Sequence, residues 1–250
     1  MMAMTIAGFD PSVGAGILND IKTFHALGIY GTAVVTALTA QNPSRVEAIE
    51  PVSTNFIEKQ MDTVLEDYSI KYAKTGMLYN TENVKIVSEK VVFHELNIVV
   101  DPVMVAGSGG SLSIEGYAES LKKYLLPQAT LVTPNIMEAE QLSGIKIHST
   151  DDAVEAAIEI GKICDVVVTG GHLNGSNVFF NGSVKVIEGE LVESRNTHGT
   201  GCSFSAAVTA GLVKGFSILE SIEMAVEFVK EGIVYGEWVT LNQFHKFKSL

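Results

Sequence analysis

The chain has 250 residues, 46% of them apolar, and a formal net charge of -12 at pH 7. That length fits one large α/β domain, and that apolar share excludes a disordered chain. The acidic balance argues against a diffuse basic face for nucleic acid or for an anionic membrane. It leaves room for phosphate ligands, which backbone N–H groups and a metal ion can hold locally.

Met1-Met2-Ala3 leads directly into an apolar segment without a basic leader region, so no signal peptide is expected and the cytoplasm is the expected compartment. No apolar run reaches the roughly 20 residues of a membrane helix. Residues 4–7 read as a strand and residues 15–27 as a helix, with Ile17, Leu18, Ile21, Phe24 and Leu27 near helical spacing. Strand, helix and strand follow over residues 32–38, 56–65 and 71–74, then a helix over 81–93. Residues 97–101 form an apolar strand ending in Asp101, which Pro102 terminates. A helix over 116–125, a strand over 130–133, helices over 136–142 and 151–160 and an apolar strand over 166–169 complete the alternation. Such βα repetition predicts a largely parallel sheet covered by helices.

Beyond residue 169 the pattern changes. Residues 178–180, 184–188 and 191–194 read as short strands of an antiparallel meander. Asn174-Gly175-Ser176 and Asn181-Gly182-Ser183 match the glycosylation pattern but read better as turns flanking a hairpin strand. Helices over 199–214 and 218–235 close the chain. No linker or repeat interrupts it, so residues 1–250 are read as a single domain. Cys164 and Cys202 are too few for a disulfide framework and are not spaced for zinc.

Three glycine-rich segments carry chemical signal. Gly8 to Gly16 follows the first strand and opens the first helix. It holds neither Gly-Lys-Ser/Thr after its glycines nor Gly-x-Gly-x-x-Gly, which excludes a Walker A loop and a dinucleotide fingerprint. It is either a ligand loop or a tight strand-to-helix turn. Thr169-Gly170-Gly171-His172 stands at a strand's carboxyl end, where open parallel sheets bind ligands, or else starts a hairpin. Thr197-His198-Gly199-Thr200-Gly201-Cys202 opens a long helix whose first N–H groups can hold an anion. That helix field should favour a Cys202 thiolate; a buried packing cysteine is the competing reading. Asp101 and Glu138, both near strand ends, could share a Mg²⁺ ion through water. Glu138 could instead serve only the first turn of its helix.

Taken in order, these segments resemble the hydroxymethylpyrimidine and phosphomethylpyrimidine kinases of the ribokinase-like superfamily. Further residues carry the resemblance: Asp10-Pro11-Ser12, Asp20-Ile21-Lys22-Thr23-Phe24, Thr39-Ala40-Gln41-Asn42, Lys74-Thr75-Gly76-Met77-Leu78, Val100-Asp101-Pro102-Val103-Met104 and Thr133-Pro134-Asn135 with Glu138. The resemblance spans residues 4–235. It implies an α/β ribokinase-like fold with a mostly parallel central sheet flanked by helices and a short antiparallel meander. It also implies ATP and Mg²⁺ as cofactors, a homodimer, and no nucleic-acid or membrane partner. The implied reaction is phosphorylation of 4-amino-5-hydroxymethyl-2-methylpyrimidine, and of its monophosphate, in thiamine biosynthesis.

By that resemblance Gln41 reads the aminopyrimidine, since an amide offers both donors and an acceptor. Asp20, Gly8, Met77 and Val103 lie at the same pocket. Asp101 and Glu138 sit near Mg²⁺. Asn135, Thr169, Gly171, His172 and Thr197 lie along the nucleotide. Gly199, Thr200 and Gly201 form the anion hole, and Cys202 stands where most of the superfamily carries an aspartate base. The chain departs from the usual pattern at Phe9, Val13, Gly107 and Gly110, and at Thr169, where many members carry a lysine; that last change is expected to shift ATP affinity. Pyridoxal kinase, of the same fold, is the nearest rival, and the Gln41 position and the Gly-Thr-Gly-Cys ending favour the pyrimidine. A non-catalytic nucleotide-sensing module is the rival from another class. Cys202 and the two acidic residues argue against it.

Overall fold

The computed structural model describes residues 1–104, 116–171, 173 and 175–245. One nine-stranded sheet runs through it, in the order β3-β2-β1-β4-β5-β6-β7-β8-β9. Its parallel centre consists of β1 (Met2–Phe9), β2 (Tyr30–Asn42), β4 (Tyr72–Thr75), β5 (Asn97–Val100), β6 (Ala129–Val132) and β7 (Val166–Val168). Antiparallel strands finish both edges: β3 (Arg45–Pro51) beside β2, and β8 (Asn177–Phe180) with β9 (Val184–Ile187) beside β7. The expected α/β class and its meander are both present.

Strand residues alternate between two cores. Met4, Ile6, Ala73, Ile98, Val100, Val132, Val166 and Val168 face one side. That side is covered by α2 (Thr54–Asp67), α3 (Thr81–Phe93), α5 (Ile136–Ser143) and α6 (Thr150–Ile160). Ala3, Val99, Leu131 and Val167 face the other side, under α1 (Gly16–Ala26), α7 (Thr200–Val213) and α8 (Ile218–Val234). Helix α7 is buried from Ser203 to Leu212, so it needs small residues where it crosses its neighbours. A Cβ on its Gly211 would lie 2.6 Å from the Ser221 hydroxyl of α8.

On this second face the strand register sets Thr5, Lys74, Val99 and Leu131 side by side. Lys74 is thus an inward-pointing lysine in the middle of a parallel sheet, fully buried. Among the described residues no helix is long and apolar enough to cross a membrane.

Several sequence expectations need correction. Strand β2 does not stop at residue 38 but runs to Asn42, because its second half pairs with β3 after its first half has paired with β1. Strand β3 escaped notice because only Val46 and Ile49 turn inward while its other residues stay exposed. The turn joining the two strands is closed by Asn42, whose side chain accepts the N–H groups of Ser44 and Arg45 at 2.9 and 3.1 Å. Residues 191–194 form no strand. Backbone contact between Gly189 and Gly175 (a Cβ on Gly189 would lie 1.9 Å from the Gly175 carbonyl) draws the chain away from β9. The helix expected over 116–125 is α4 (Tyr117–Ser120), which then widens into a π-turn over Leu121–Leu125.

Val13 departs from its usual glycine in the loop before α1, and it carries φ of 63°. A β-branched residue there strains the backbone by about 1–2 kcal/mol. Glycine relieves the strain but loosens the unfolded chain, which takes back part of the gain. Val13→Gly is therefore expected to raise Tm by roughly 1–4 °C in thermal denaturation. An unchanged or lower Tm would show that the left-handed valine carries no net strain.

Candidate active site

The chemistry-bearing residues gather where parallel strands end. Beyond the strands the ladder continues in single bonds: Gly76 N–H to Ile6 O at 3.0 Å, Asp101 N–H to Thr75 O at 3.2 Å, Thr133 N–H to Val100 O at 2.9 Å and Thr169 N–H to Pro134 O at 2.8 Å. These bonds bring the ends of β1, β4, β5, β6 and β7 to one edge, the edge at which open α/β sheets bind ligands. The amino ends of α1 and α7 meet there.

Their meeting is a backbone contact. Gly199 (φ 85°) lies against the Gly14 carbonyl, 1.8 Å from where a Cβ would stand, and a Cβ on Gly16 (φ 61°) would lie 2.3 Å from the Gly8 carbonyl. The first glycine-rich segment is therefore more than a turn. It carries the Gly16 N–H, in the first turn of α1, into a hydrogen bond with the sulfur of Cys202 in the first turn of α7. Two helix amino termini converge on one thiol.

Behind the thiol lies a buried charge cluster. Lys74 Nζ is 3.1 and 3.2 Å from the two oxygens of Asp20 and 3.6 Å from Asp101 Oδ2. Thr5 donates its hydroxyl to Asp20 at 2.5 Å, and Ser205 donates to Asp101 at 2.9 Å. The Cys202 side chain also bonds to Asp101. Burial works against the Lys74 charge, but Asp20, then Cys202 and Asp101, hold its pKa above that of an ordinary lysine. For Asp20 burial pushes the carboxyl upward, opposed by Lys74 and Thr5. The expected helix-favoured thiolate needs correction. Burial raises the Cys202 thiol to about 12, with Asp101 and Asp20 adding to the rise and Lys74 and the Gly16 N–H opposing it. Desolvation outweighs the helix field here.

Asp101 and Glu138 are both buried. Burial raises the Asp101 carboxyl. Burial, then the negative charge of Asp101, raises Glu138 to about 8, against hydrogen bonds from the Asn135 and Met104 N–H groups. Two hard oxygen donors held together against their own repulsion fit a divalent cation. Among the described residues no cluster of three or more such ligands exists, so an ion here would take its remaining ligands from phosphate and water. Glu138 also closes a capping box with Asn135, accepting its N–H at 2.9 Å while Asn135 Oδ1 accepts the Glu138 N–H at 3.0 Å. The first-turn role of Glu138 is therefore present, on the same carboxylate that the metal reading concerns.

Gly8, Met77 and Val103 come together. A Cβ on Gly8 would lie 2.5 Å from Met77 Cε, and Met77 packs on Ala37 with Val46, Ile49 and Val103 beside it. Asp20 is fully buried and its side chain is engaged by Thr5 and Lys74 instead of by these residues. Gln41 stands further out at the β2–β3 irregularity, lining a cavity of about 310 Å³ with Pro11, Ala40, Asn42, Arg45 and Glu47. Its amide makes no hydrogen bond to another described residue. On the opposite flank Asn135 pairs with Thr169 in a single parallel bridge. Gly171, two residues beyond Thr169, is exposed, Thr197 is exposed at the approach to α7, and His172 lies outside the described residues.

Lys74, Thr5 and Ser205 were not singled out from the sequence, nor was the polar cluster of Asn19, Ser203 and Gln243. Lys74 did stand in a segment that carries the resemblance, without a role assigned to it. Asn19 and Ser203 lie 184 residues apart, their side-chain amide and hydroxyl meeting at 3.0 Å, and no local pattern announces such a pair.

Comparison with known proteins agrees with this architecture. The Phosphomethylpyrimidine kinase family matches residues 10–246. A hydroxymethylpyrimidine/phosphomethylpyrimidine kinase of Bacillus subtilis is 40% identical over 239 residues, covering 92% of this chain and 88% of its own. A pyridoxine kinase of the same organism is 38% identical, covering 97% and 93%. Among solved structures, a phosphomethylpyrimidine kinase of Clostridium difficile superposes with a TM-score of 0.82 at 37% identity, covering 93% of this chain and 99% of that one. The Staphylococcus aureus pyridoxal kinase in complex with AMP-PCP and pyridoxal superposes with a TM-score of 0.86 at 34% identity, covering 97% and 91%. Matched across nearly its whole length in sequence and in fold, the chain belongs to the phosphomethylpyrimidine kinase family.

Proposed function

We propose that the chain transfers the γ-phosphoryl group of MgATP to the hydroxymethyl group of 4-amino-5-hydroxymethyl-2-methylpyrimidine, and then to the resulting monophosphate. The observation that carries the reading is Cys202, set where two helix amino termini meet and backed by Lys74 and Asp101. The alcohol oxygen attacks the γ-phosphorus, the bond to the ADP oxygen breaks, and the alcohol proton passes to Cys202 Sγ. The thiol's own proton has an acceptor beside it in Asp101, whose carboxylate already receives that hydrogen bond. The first N–H groups of α7, from Gly199 through Gly201, hold charge on the moving phosphoryl group. Bound Mg²⁺ would be held chiefly by Glu138, with Asp101 near it, and would neutralise phosphate charge. Asn135, Thr169, Gly171, His172 and Thr197 flank the nucleotide in this reading. Gln41, with an unengaged amide in its cavity, reads the aminopyrimidine edge. The family resemblance supports a homodimer.

The relatives named for pyridoxine and pyridoxal support a second substrate class for the same site. Coupled ADP release against the pyrimidine alcohol, its monophosphate and pyridoxal separates the two. Turnover of pyridoxal alone would overturn the pyrimidine reading.

Three outcomes follow from the geometry. Gln41→Leu is expected to lower kcat/KM for the pyrimidine about 5- to 150-fold, as lost recognition of a polar edge costs about 1–3 kcal/mol, with Tm unchanged. Catalytic efficiency equal to the parent's would remove Gln41 from the site. Cys202→Ser keeps the size but loses the ionisable group, so kcat should fall about 10²–10⁴-fold while nucleotide affinity, held by backbone, stays within a few-fold. Turnover within a few-fold of the parent would leave Cys202 as packing.

The third concerns pH. Glu138 has its folded pKa near 8, above the ordinary 4.5. A carboxyl raised in this way stabilises the fold fully below about 4.5 and loses that contribution as pH rises through about 8. In chelated buffer Tm should therefore decline across that window, and Glu138→Gln should flatten the decline. Added Mg²⁺ should raise the parent's Tm more at the alkaline end, where both carboxylates are ionised. Equal pH slopes for parent and variant would show that Glu138 titrates normally.

A further inference from the structure

We propose that His198 is a positioning residue for the transfer: by its bond to Asp10 it clamps the loop ending in Gly16 against the loop leading into Cys202. The inference rests on the reading of Cys202 as the proton acceptor. Asp10 and His198 lie 188 residues apart, and their side chains meet at 3.0 Å, His198 Nε2 to Asp10 Oδ2.

Each partner is held from its own side. Asp10 is 1% exposed and also accepts the Ser12 N–H at 2.8 Å, the Ser12 hydroxyl at 2.7 Å and the Ala15 N–H at 2.9 Å. It therefore fixes its whole loop up to the first turn of α1. Burial opposes its charge, and the bonds from His198, Ser12 and Ala15 together bring its pKa down to about 2. The His198 backbone N–H donates to the Val239 carbonyl at 3.1 Å, and the His198 backbone bridges to Thr240, so the C-terminal segment holds the backbone from which the ring projects. Gly14 is glycine to admit that ring, since a Cβ there would lie 2.1 Å from His198 Cδ2.

The clamp sits at the point where position matters most. His198 immediately precedes Gly199, whose Cα rests on the Gly14 carbonyl, and three residues separate it from Cys202. On the other strand of the clamp, Asp10 holds Ala15, and the next residue, Gly16, donates its N–H to the Cys202 sulfur. A sulfur and an anion hole contributed by two loops keep their mutual geometry only while the loops keep theirs. Displacement of reacting groups by about 1 Å is enough to cost about 10²-fold in rate. Nucleotide and alcohol contacts lie on other residues, so the loss should fall on turnover.

The test compares His198→Ala with His198→Gln, whose amide nitrogen can take the place of Nε2. For Ala we expect kcat to fall about 10- to 100-fold, with KM for ATP and for the pyrimidine alcohol within about threefold. The Gln variant should recover most of that loss. Hydrogen exchange across residues 199–204 should be faster in Ala and near parental in Gln. Three results would overturn the clamp: an Ala variant with parental kcat, a loss carried by KM, or a Gln variant as slow as Ala. Parental exchange over 199–204 in the Ala variant would overturn it as well. If the parent phosphorylates no alcohol, the reading of the site fails, and the exchange comparison still decides whether the clamp exists.

Discussion

An ammonium group without access to water, standing inside a parallel sheet, must find its counter-charges within the protein. Lys74 finds them in Asp20 on α1 and Asp101 at the end of β5. Removing such charges from water costs several kcal/mol per ion, and good geometry with further hydrogen bonds is needed to offset it. Thr5 and Ser205 supply those bonds from β1 and α7. One cluster thus ties the first helix, three adjacent strands and the helix of Cys202 to a common point. The low dielectric that makes the cluster costly also makes its field felt at the sulfur, where burial and the carboxylates push one way and the ammonium the other. The same setting explains why the thiol stays protonated in the unliganded chain despite two helix termini.

The sequence was most legible where local periodicity and strand-end punctuation coincide. Strands β1, β4, β5, β6 and β7, the helices that follow them and the glycine-rich openings of α1 and α7 were all readable, because apolar alternation and glycine placement are local signals. Less legible were the elements whose partners are distant. Strand β3 lies at an edge and buries little, so its pattern is mostly polar. Residues 191–194 have strand-like composition, yet the glycine contact at Gly175 takes the chain elsewhere. Of the site, the acidic pair and the anion-holding helix start were readable from strand ends and glycines, whereas the pocket residues came from motif resemblance. Lys74, Asp10 with His198, and Asn19 with Ser203 emerge only when chain segments far apart in sequence are brought together.

Glycine does two different jobs here. At Gly16 and Gly199 it supplies positive φ and, at once, the absence of a Cβ where two backbones touch. At Gly8 and Gly211 the backbone is ordinary and only the missing side chain matters, admitting Met77 and Ser221 respectively. The first pair shapes the transfer centre and the second shapes packing around it.

Strand β2 has a consequence that reaches beyond recognition. Its residues up to Leu38 pair with β1 in the core, whereas those from Thr39 to Asn42 pair only with β3, most of whose side chains are exposed. The outer arm is therefore anchored by chain continuity yet contributes little to the buried core. Mutations there can reshape the cavity around Gln41 at small thermodynamic cost, while the charge cluster and the paired helix termini stay untouched. On the proposed reading of Gln41, such an arrangement would separate evolutionary change in substrate choice from change in phosphoryl chemistry, and would let related chains diverge in the alcohol they accept while retaining one transfer machinery.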